Sequence, residues 1–163
     1  MHFVKKLITF SYDVAAWAKC IHTLLPDGSE ASFFDLSERV SYRVLMKRLV
    51  AVTEVEQPEY YLLIPRREKG ITFRDYLIGL TLEKCGGKVM TYCPERMRTA
   101  WWNRWLERLF FRNRTVLIAD WRDYQKLCGY TAKKNIFVCP EVNGREITVD
   151  HFNRNLTTAL TKV

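Results

Sequence analysis

Short apolar runs alternate with amphipathic segments along the whole chain, and this alternation limits the folds that it can adopt. Turn signals bound the runs, as at residues 60–64 (YYLLI), which lie between Pro58 and Pro65. The predicted strands are residues 4–10, 31–36, 60–64, 88–93, 115–119 and 135–139. Continuous apolar runs are typical of strands covered on both sides, and strand–helix alternation favours a parallel sheet with right-handed crossovers. We therefore expect an α/β fold: a doubly wound, mainly parallel sheet of about six strands with helices on both faces.

The segments between the strands have the spacing of amphipathic helices. The predicted helices are residues 14–25, 41–52, 71–85, a segment within 95–115, 121–128 and 147–163. A chain of 163 residues suits a single domain, and nothing in it reads as a linker or an internal repeat. We expect residues 1–163 to form one Rossmann-like domain, with 147–163 as a terminal helix.

The net charge indicates what kind of partner to expect, and the cysteine count indicates the cellular compartment. A formal net charge of +8 predicts an anionic partner, which is a phospholipid, a nucleic acid or a phosphorylated ligand. The five cysteines form no CxxC pair, which favours reduced thiols in a cytoplasmic protein. Neither the cysteine spacing nor the three histidines predict a metal site. No apolar run approaches the roughly 18 residues of a membrane span.

Loops that follow the strands are the expected position of a ligand cleft, because ligands bind at the carboxyl ends of strands in such sheets. The cleft candidates are Ser11, Tyr12, Asp13, Arg66, Arg67, Glu68, Glu95, Arg96 and Asp120.

Several of these residues have two interpretations. Asp13 either acts as a base or caps the helix predicted at 14–25. Arg66 and Arg67 either bind phosphate or lie in a solvated loop. Cys93, at the end of a predicted strand, is either a nucleophile or a buried thiol, and the second suits a thiol with no nearby histidine.

Residues 95–115 are the most unusual part of the sequence. They contain three of the five tryptophans and six arginines, against two glutamates. Trp102, Trp105, Leu106, Leu109 and Phe110 follow the spacing of one apolar helical face, so we expect them to share one face of a single helix. Arg104, Glu107 and Arg108 are expected on the opposite side.

This segment has two interpretations as well. It is either a surface helix that packs on the sheet or a helix that lies against anionic lipid, with arginines at phosphates and indoles in the interface. The membrane-interface candidates are Arg98, Trp101, Trp102, Arg104, Trp105, Arg108, Arg112 and Arg114.

A family resemblance adds a more specific expectation. In residues 114–144, a strand at 116–120 precedes a helix with Tyr124 before Gly129 and a turn with Lys133 and Lys134. A strand at 136–138 then leads to the segment 140–144 (PEVNG). This order resembles the N-terminal domain of retaining glycosyltransferases with two facing Rossmann-like domains, the GT-B architecture. Upstream segments, from about residue 31, also resemble this N-terminal domain.

The resemblance implies an acceptor-binding domain that acts on a lipid-linked or envelope saccharide at the inner face of a membrane. It places Glu95 near the sugar, although Glu95 also suits the first turn of a helix. The chain lacks a glycine-rich loop after its first strand and has no room for the domain that binds the nucleotide sugar. The resemblance therefore implies no cofactor in this chain, no sugar transfer by it alone, and a separate donor-binding domain or subunit.

A second hypothesis comes from the charge pattern alone. A non-catalytic Rossmann-like module could use the same arginines and tryptophans to bind nucleic acid, since arginines neutralise phosphates and indoles stack on bases. The sequence contains no helix-turn-helix, zinc or single-strand-binding signature to support it.

Overall fold

A single parallel sheet forms the centre of the protein. The computed structural model describes residues 6–15, 30–65, 70–93, 97, 100–118 and 120–138. The strands are β1 Lys6–Ser11, β2 Glu30–Asp35, β3 Tyr60–Ile64, β4 Lys88–Cys93, β5 Thr115–Ile118 and β6 Ile136–Val138. Their spatial order is β2-β1-β3-β4-β5-β6, and every neighbouring pair is parallel. The predicted α/β fold with a parallel, Rossmann-like sheet is confirmed.

Four helices connect these strands in the described part of the chain. They are α1 Tyr42–Glu56, α2 Phe73–Lys84, α3 Arg104–Phe111 and α4 Arg122–Leu127. A 3-10 turn, Trp101–Asn103, leads directly into α3, and a second one, Lys133–Asn135, precedes β6. Of the helix predicted at residues 14–25, only Val14 and Ala15 are described, and both are helical. The helix predicted at 147–163 lies outside the described residues.

Local side-chain chemistry explains where the two longest helices begin and end. The Ser41 hydroxyl accepts a hydrogen bond from the Val44 N–H and so satisfies one of the free donors in the first turn of α1. Gln57 ends α1 in the left-handed conformation, with φ 45°. At α2, Thr72 and Asp75 form a capping box, and Gly86, with φ +86°, follows the last turn.

Both faces of the sheet are buried. On one face, alternate strand residues such as Phe10, Tyr61 and Val116 pack in one core with residues from all four helices. The helix residues in this core are Leu45, Leu49, Ile78, Leu82, Leu106, Phe110, Phe111 and Leu127. The alternate residues on the other face, among them Leu62 and Met90, are equally buried. Burial on both sides explains why the strands read as continuous apolar runs.

The direction of the chain places the start of each helix at one edge of the sheet. The strands are parallel, so each crossover returns the chain from the carboxyl ends of the strands to their amino ends. Helices α1 to α4 therefore begin near the carboxyl edge, where the described cleft candidates Ser11, Tyr12, Asp13 and Asp120 lie. The strand order reverses between β1 and β3, and this switch point is where open α/β sheets bind ligands.

Candidate functional site

A network around Tyr12 and Asp75 occupies the switch point. The Tyr12 hydroxyl donates a hydrogen bond to Asp75 Oδ1 at 2.9 Å, and the Thr72 N–H and hydroxyl both donate to Asp75 Oδ2, at 3.0 and 2.8 Å. Asp75 is fully buried, and burial raises its pKa, although the hydrogen bonds from Thr72 and Tyr12 lower it. Both carboxylate oxygens are therefore occupied in fixing the loop after β1 to the start of α2.

Arg74 extends this network to a third loop. Its guanidinium lies 5.6 Å from the centre of the Tyr12 ring, and Nη2 donates to the Leu36 carbonyl oxygen at 3.1 Å. The loops after β1 and β2 and the start of α2 are thus held together. Sequence reasoning missed Thr72, Arg74 and Asp75, although the spacing of Thr72 and Asp75 is the signal of a capping box.

The predicted cleft residues after β1 have different environments. Ser11 is buried, and its hydroxyl oxygen accepts a hydrogen bond from the Asp13 N–H at 3.0 Å. Tyr12 is half-buried, while Asp13 is exposed to solvent. The Asp13 N–H is therefore directed to Ser11, whereas in a glycine-rich loop such backbone groups point at a phosphate.

The remaining cleft candidates lie apart from this network or outside the described residues. Asp120, after β5, forms an ion pair with Arg122 at 2.6 Å and also accepts the Arg122 N–H at 2.9 Å. The residues of the predicted cleft and interface that lie outside the described part are Arg66, Arg67, Glu68, Glu95, Arg96 and Arg98.

Cys93 ends β4 as a buried residue close to several acids. Burial raises the pKa of its thiol, and the carboxylates of Asp123, Glu107 and Asp75 raise it further. Asp123 is itself buried and accepts a hydrogen bond from the Met97 N–H at 3.0 Å. A thiol in this environment stays protonated at neutral pH, which favours a buried structural thiol over a nucleophile.

Helix α3 and the turn before it have one buried and one exposed side. The buried side consists of Asn103, Leu106, Glu107, Phe110 and Phe111. The exposed side carries three tryptophans, with Trp101 80% exposed, Trp102 63% and Trp105 60%. The other exposed side chains are Arg104, Arg108, Leu109 and Arg112. We call these seven residues the α3 outer surface.

The predicted apolar stripe is split between these two sides. Leu106 and Phe110 are buried as expected, but Trp105 and Leu109 are exposed. Trp102 precedes α3 in the 3-10 turn, so the five residues do not lie on a single α-helix. The prediction was also wrong for Glu107, which was expected on the solvent side and is fully buried.

Two partners compensate for the burial of the Glu107 carboxylate. Its carboxylate is 3.0 Å from Lys126 Nζ, and the Tyr130 hydroxyl donates to it at 3.3 Å. Burial raises the pKa of Glu107, and the Lys126 ammonium partly offsets this rise. Arg108 lies 6.0 Å from the centre of the Tyr130 ring. These contacts join α3 to α4 and the loop after it.

Arg114 was predicted at the membrane interface, and this prediction is wrong. The residue is 4% exposed, and its Nε donates to Glu83 Oε1 at 2.8 Å. The guanidinium lies 4.7 Å from the centre of the Phe110 ring, in space that is open because residue 79 is glycine. Arg114 therefore joins α2 to α3 and does not reach a partner surface.

The opposite, amino edge of the sheet carries an open cleft of about 740 Å³ between the ends of α1 and α2. Its lining includes Thr53, Glu54, Tyr61, Lys84 and Cys85. No pattern in the sequence predicts this cleft, because the two helix ends meet only through tertiary packing. Across the ranges that the structure describes, no group of three metal-binding side chains comes together.

The fold and these surfaces define a Rossmann-like α/β domain with an exposed aromatic and cationic helix. Searches against protein-family models, curated proteins and solved structures found no match to the chain. None of the described helices is long and apolar enough to cross a bilayer.

Proposed function

We propose that this chain is a peripheral membrane domain that binds anionic phospholipid through the α3 outer surface. The observation that carries the proposal is the exposure of Trp101, Trp102 and Trp105 beside Arg104, Arg108 and Arg112. Exposed tryptophans cost solubility in water but suit the headgroup region, where the ring is apolar and the N–H finds a polar partner.

Charge favours the same partner. The one acid in residues 100–113 is Glu107. Its carboxylate is buried and paired with Lys126, so it does not offset the positive charge of the exposed arginines. Each arginine near an anionic leaflet contributes about 1 kcal/mol, so the three supply about 3 kcal/mol before any insertion of indole rings. This is enough for reversible attachment, and it falls as salt rises.

The role that we propose for the attached domain is acceptor binding in a glycosyltransferase of the GT-B type. The support is the resemblance of residues 31–144 and the parallel sheet that such a domain requires. A lipid-linked saccharide would be presented at the cytoplasmic face of the membrane, and a separate domain or subunit would hold the nucleotide sugar. The pairing of the Asp13 N–H with Ser11 agrees with a chain that leaves donor phosphate to that partner.

A second candidate partner is single-stranded nucleic acid. The same exposed tryptophans and arginines favour it, because indoles stack on bases and guanidinium groups bind phosphates. This candidate uses the same surface without a membrane, so one set of variants tests both.

Vesicle sedimentation tests the proposal. The wild-type chain should sediment with vesicles of phosphatidylcholine and phosphatidylglycerol, and much less with phosphatidylcholine alone. Arg104→Glu with Arg108→Glu should weaken this binding by more than about tenfold, with little change in Tm. The matched control is Lys133→Glu with Lys134→Glu, which changes the net charge equally at two exposed residues away from α3.

Equal losses in the two double variants would mean that only net charge matters, and the α3 outer surface would have no special role. Saturable binding of a single-stranded oligonucleotide, without any vesicle binding, would favour the nucleic-acid module instead.

A further inference from the structure

Each of the four described helices has an exposed aromatic residue at its first position or in the turn just before it. Tyr42 is the first residue of α1 and is 48% exposed, and Phe73 is the first residue of α2 and is 52% exposed. Trp101 and Trp102 form the turn that leads into α3, and Trp121 immediately precedes α4 and is 70% exposed. We call these five residues the aromatic edge.

The aromatic edge lies at one end of the molecule. All four helices pack in the core on one face of the sheet, and all begin at its carboxyl edge. Neighbouring packed helices are about 8–10 Å apart, so four of them spread the aromatic residues over about 25–30 Å.

An arginine accompanies each aromatic position. Arg43, Arg74 and Arg122 directly follow Tyr42, Phe73 and Trp121, and Arg104 follows the two tryptophans of α3. Arg43 and Arg104 are exposed, Arg74 is half-buried against Tyr12, and Arg122 is paired with Asp120. The edge therefore combines apolar rings with an arginine at each of its four positions, although the charge of Arg122 is balanced by Asp120.

Acidic residues at the same edge reduce this charge only in part. Asp120 is neutralised by Arg122, and Glu38 forms an ion pair with Arg48. Asp13 is exposed at the end of β1, and Asp35 lies at the exposed end of β2, where hydrogen bonds from Ser37 lower its pKa. These two charges oppose binding to an anionic surface, and they lie on the β1–β2 side, away from Trp101 and Trp121.

We propose that the aromatic edge rests on the anionic phospholipid bilayer, so that helices α1 to α4 stand upright on the membrane. This inference rests on the proposed function and narrows the α3 contact to the start of the helix, with Trp101, Trp102 and Arg104 at the bilayer. Stacked or extended bases follow one another more closely than neighbouring helices do, so the aromatic edge is too widely spaced for consecutive nucleotides. Binding to a bilayer requires only that the rings reach a similar depth. Rings near the starts of helices that run in the same direction meet this requirement.

This orientation directs the switch point toward the headgroups. The loops after β1 and β2, held by Tyr12, Asp75 and Arg74, then face the bilayer. A substrate carried on a lipid would reach the edge from the membrane side, without leaving its leaflet. The alternative, with α3 lying flat, would immerse Leu109 and Arg112 and leave Tyr42 in water.

Three serine variants distinguish the two orientations. Tyr42→Ser removes an exposed ring two helices away from α3, and Trp121→Ser removes one at the start of the neighbouring helix α4. Each should weaken binding to phosphatidylglycerol-containing vesicles by about fivefold. Val55→Ser is the matched control, because Val55 is 81% exposed near the other end of α1. It should leave vesicle binding unchanged, and Tm should show that all three variants are folded.

The outcomes separate this inference from the proposed function. Undiminished binding by Tyr42→Ser and Trp121→Ser, together with loss in the Arg104 and Arg108 double variant, would overturn the upright orientation and leave membrane attachment through α3 intact. An absence of vesicle binding by the wild-type chain would overturn both. Weakening by Val55→Ser equal to that by Tyr42→Ser would also overturn the orientation.

Discussion

Three buried charged residues each contact a partner that lies far away in the sequence. Arg114 donates to Glu83, Asp75 accepts from Tyr12, and Glu107 accepts from Lys126. Burial of an unpaired charge costs several kcal/mol, so these pairs are required by the fold. They also determine which charged residues remain for a partner. Arg114 is buried and cannot contact a partner, whereas Arg104, Arg108 and Arg112 remain exposed.

Gly87 offers the sharpest test of packing at a single residue. A Cβ atom at this position would lie 1.8 Å from Cε2 of Tyr61, an almost fully buried residue of β3. Gly87→Ala should therefore lower the free energy of unfolding by about 1–3 kcal/mol in urea denaturation. Gly129→Ala is the control, because its added Cβ would have its nearest contact at 3.5 Å and should change stability little. Similar effects of the two changes would show that Tyr61 does not fill the space beside Gly87.

At the scale of elements, α3 shows how far an apolar pattern can mislead. Its hydrophobic residues cover a broad arc, and only one margin of this arc, with Leu106 and Phe110, meets the core. Glu107 and Phe111 complete the buried side. The other margin, with Trp105 and Leu109, faces solvent. An arc wider than the core contact leaves apolar residues for another surface, which is the basis of the proposed attachment.

Two leucines of α3 test this division. Leu106→Ala should lower the free energy of unfolding by about 2–5 kcal/mol, because Leu106 is buried among core residues. Leu109→Ala, the same change three residues later, should cost less than about 1 kcal/mol, because Leu109 is 42% exposed. Thermal or chemical denaturation of both variants measures the difference. A larger effect at Leu109 would mean that the helix is rotated relative to the sheet.

For the whole molecule, the buried acids make stability depend on pH. Burial raises the folded-state pKa of Glu107 above its ordinary value of 4.5 and that of Asp75 above 3.8. In the pH range above these ordinary values, the folded chain binds more protons than the unfolded chain. The contribution of both residues to the free energy of unfolding therefore falls as pH rises through that range.

Glu107→Gln isolates one of these contributions. The free energy of unfolding of the wild type minus that of Glu107→Gln should decrease as pH rises from about 4.5 toward neutral, as measured by urea denaturation at several pH values. Glu54→Gln, the same change at an exposed residue of α1, is the matched control for the loss of one carboxylate. A difference that increases with pH would show that the Lys126 ion pair outweighs the cost of burying the carboxylate.

The architecture of the molecule was largely predictable from the sequence. The strands at 60–64 and 88–93 were predicted with their observed bounds, and the parallel order follows from alternation with helices. The positions of Ser11, Tyr12 and Asp120 at strand ends were also predictable. The network of Tyr12 with Asp75 was not, because these residues are 63 positions apart and only the packing of α2 beside β1 brings them together.

The sequence by itself determined the order of strands and helices, the parallel sheet and the concentration of arginine and tryptophan before β5. Only the tertiary structure decided which side of α3 meets the core and that the exposed rings of four separate helices share one edge. Periodicity fixes which residues lie on the same side of a helix, because it depends on local geometry alone. The rotation of that helix against the sheet depends on distant partners, here Lys126 and Tyr130 around Glu107.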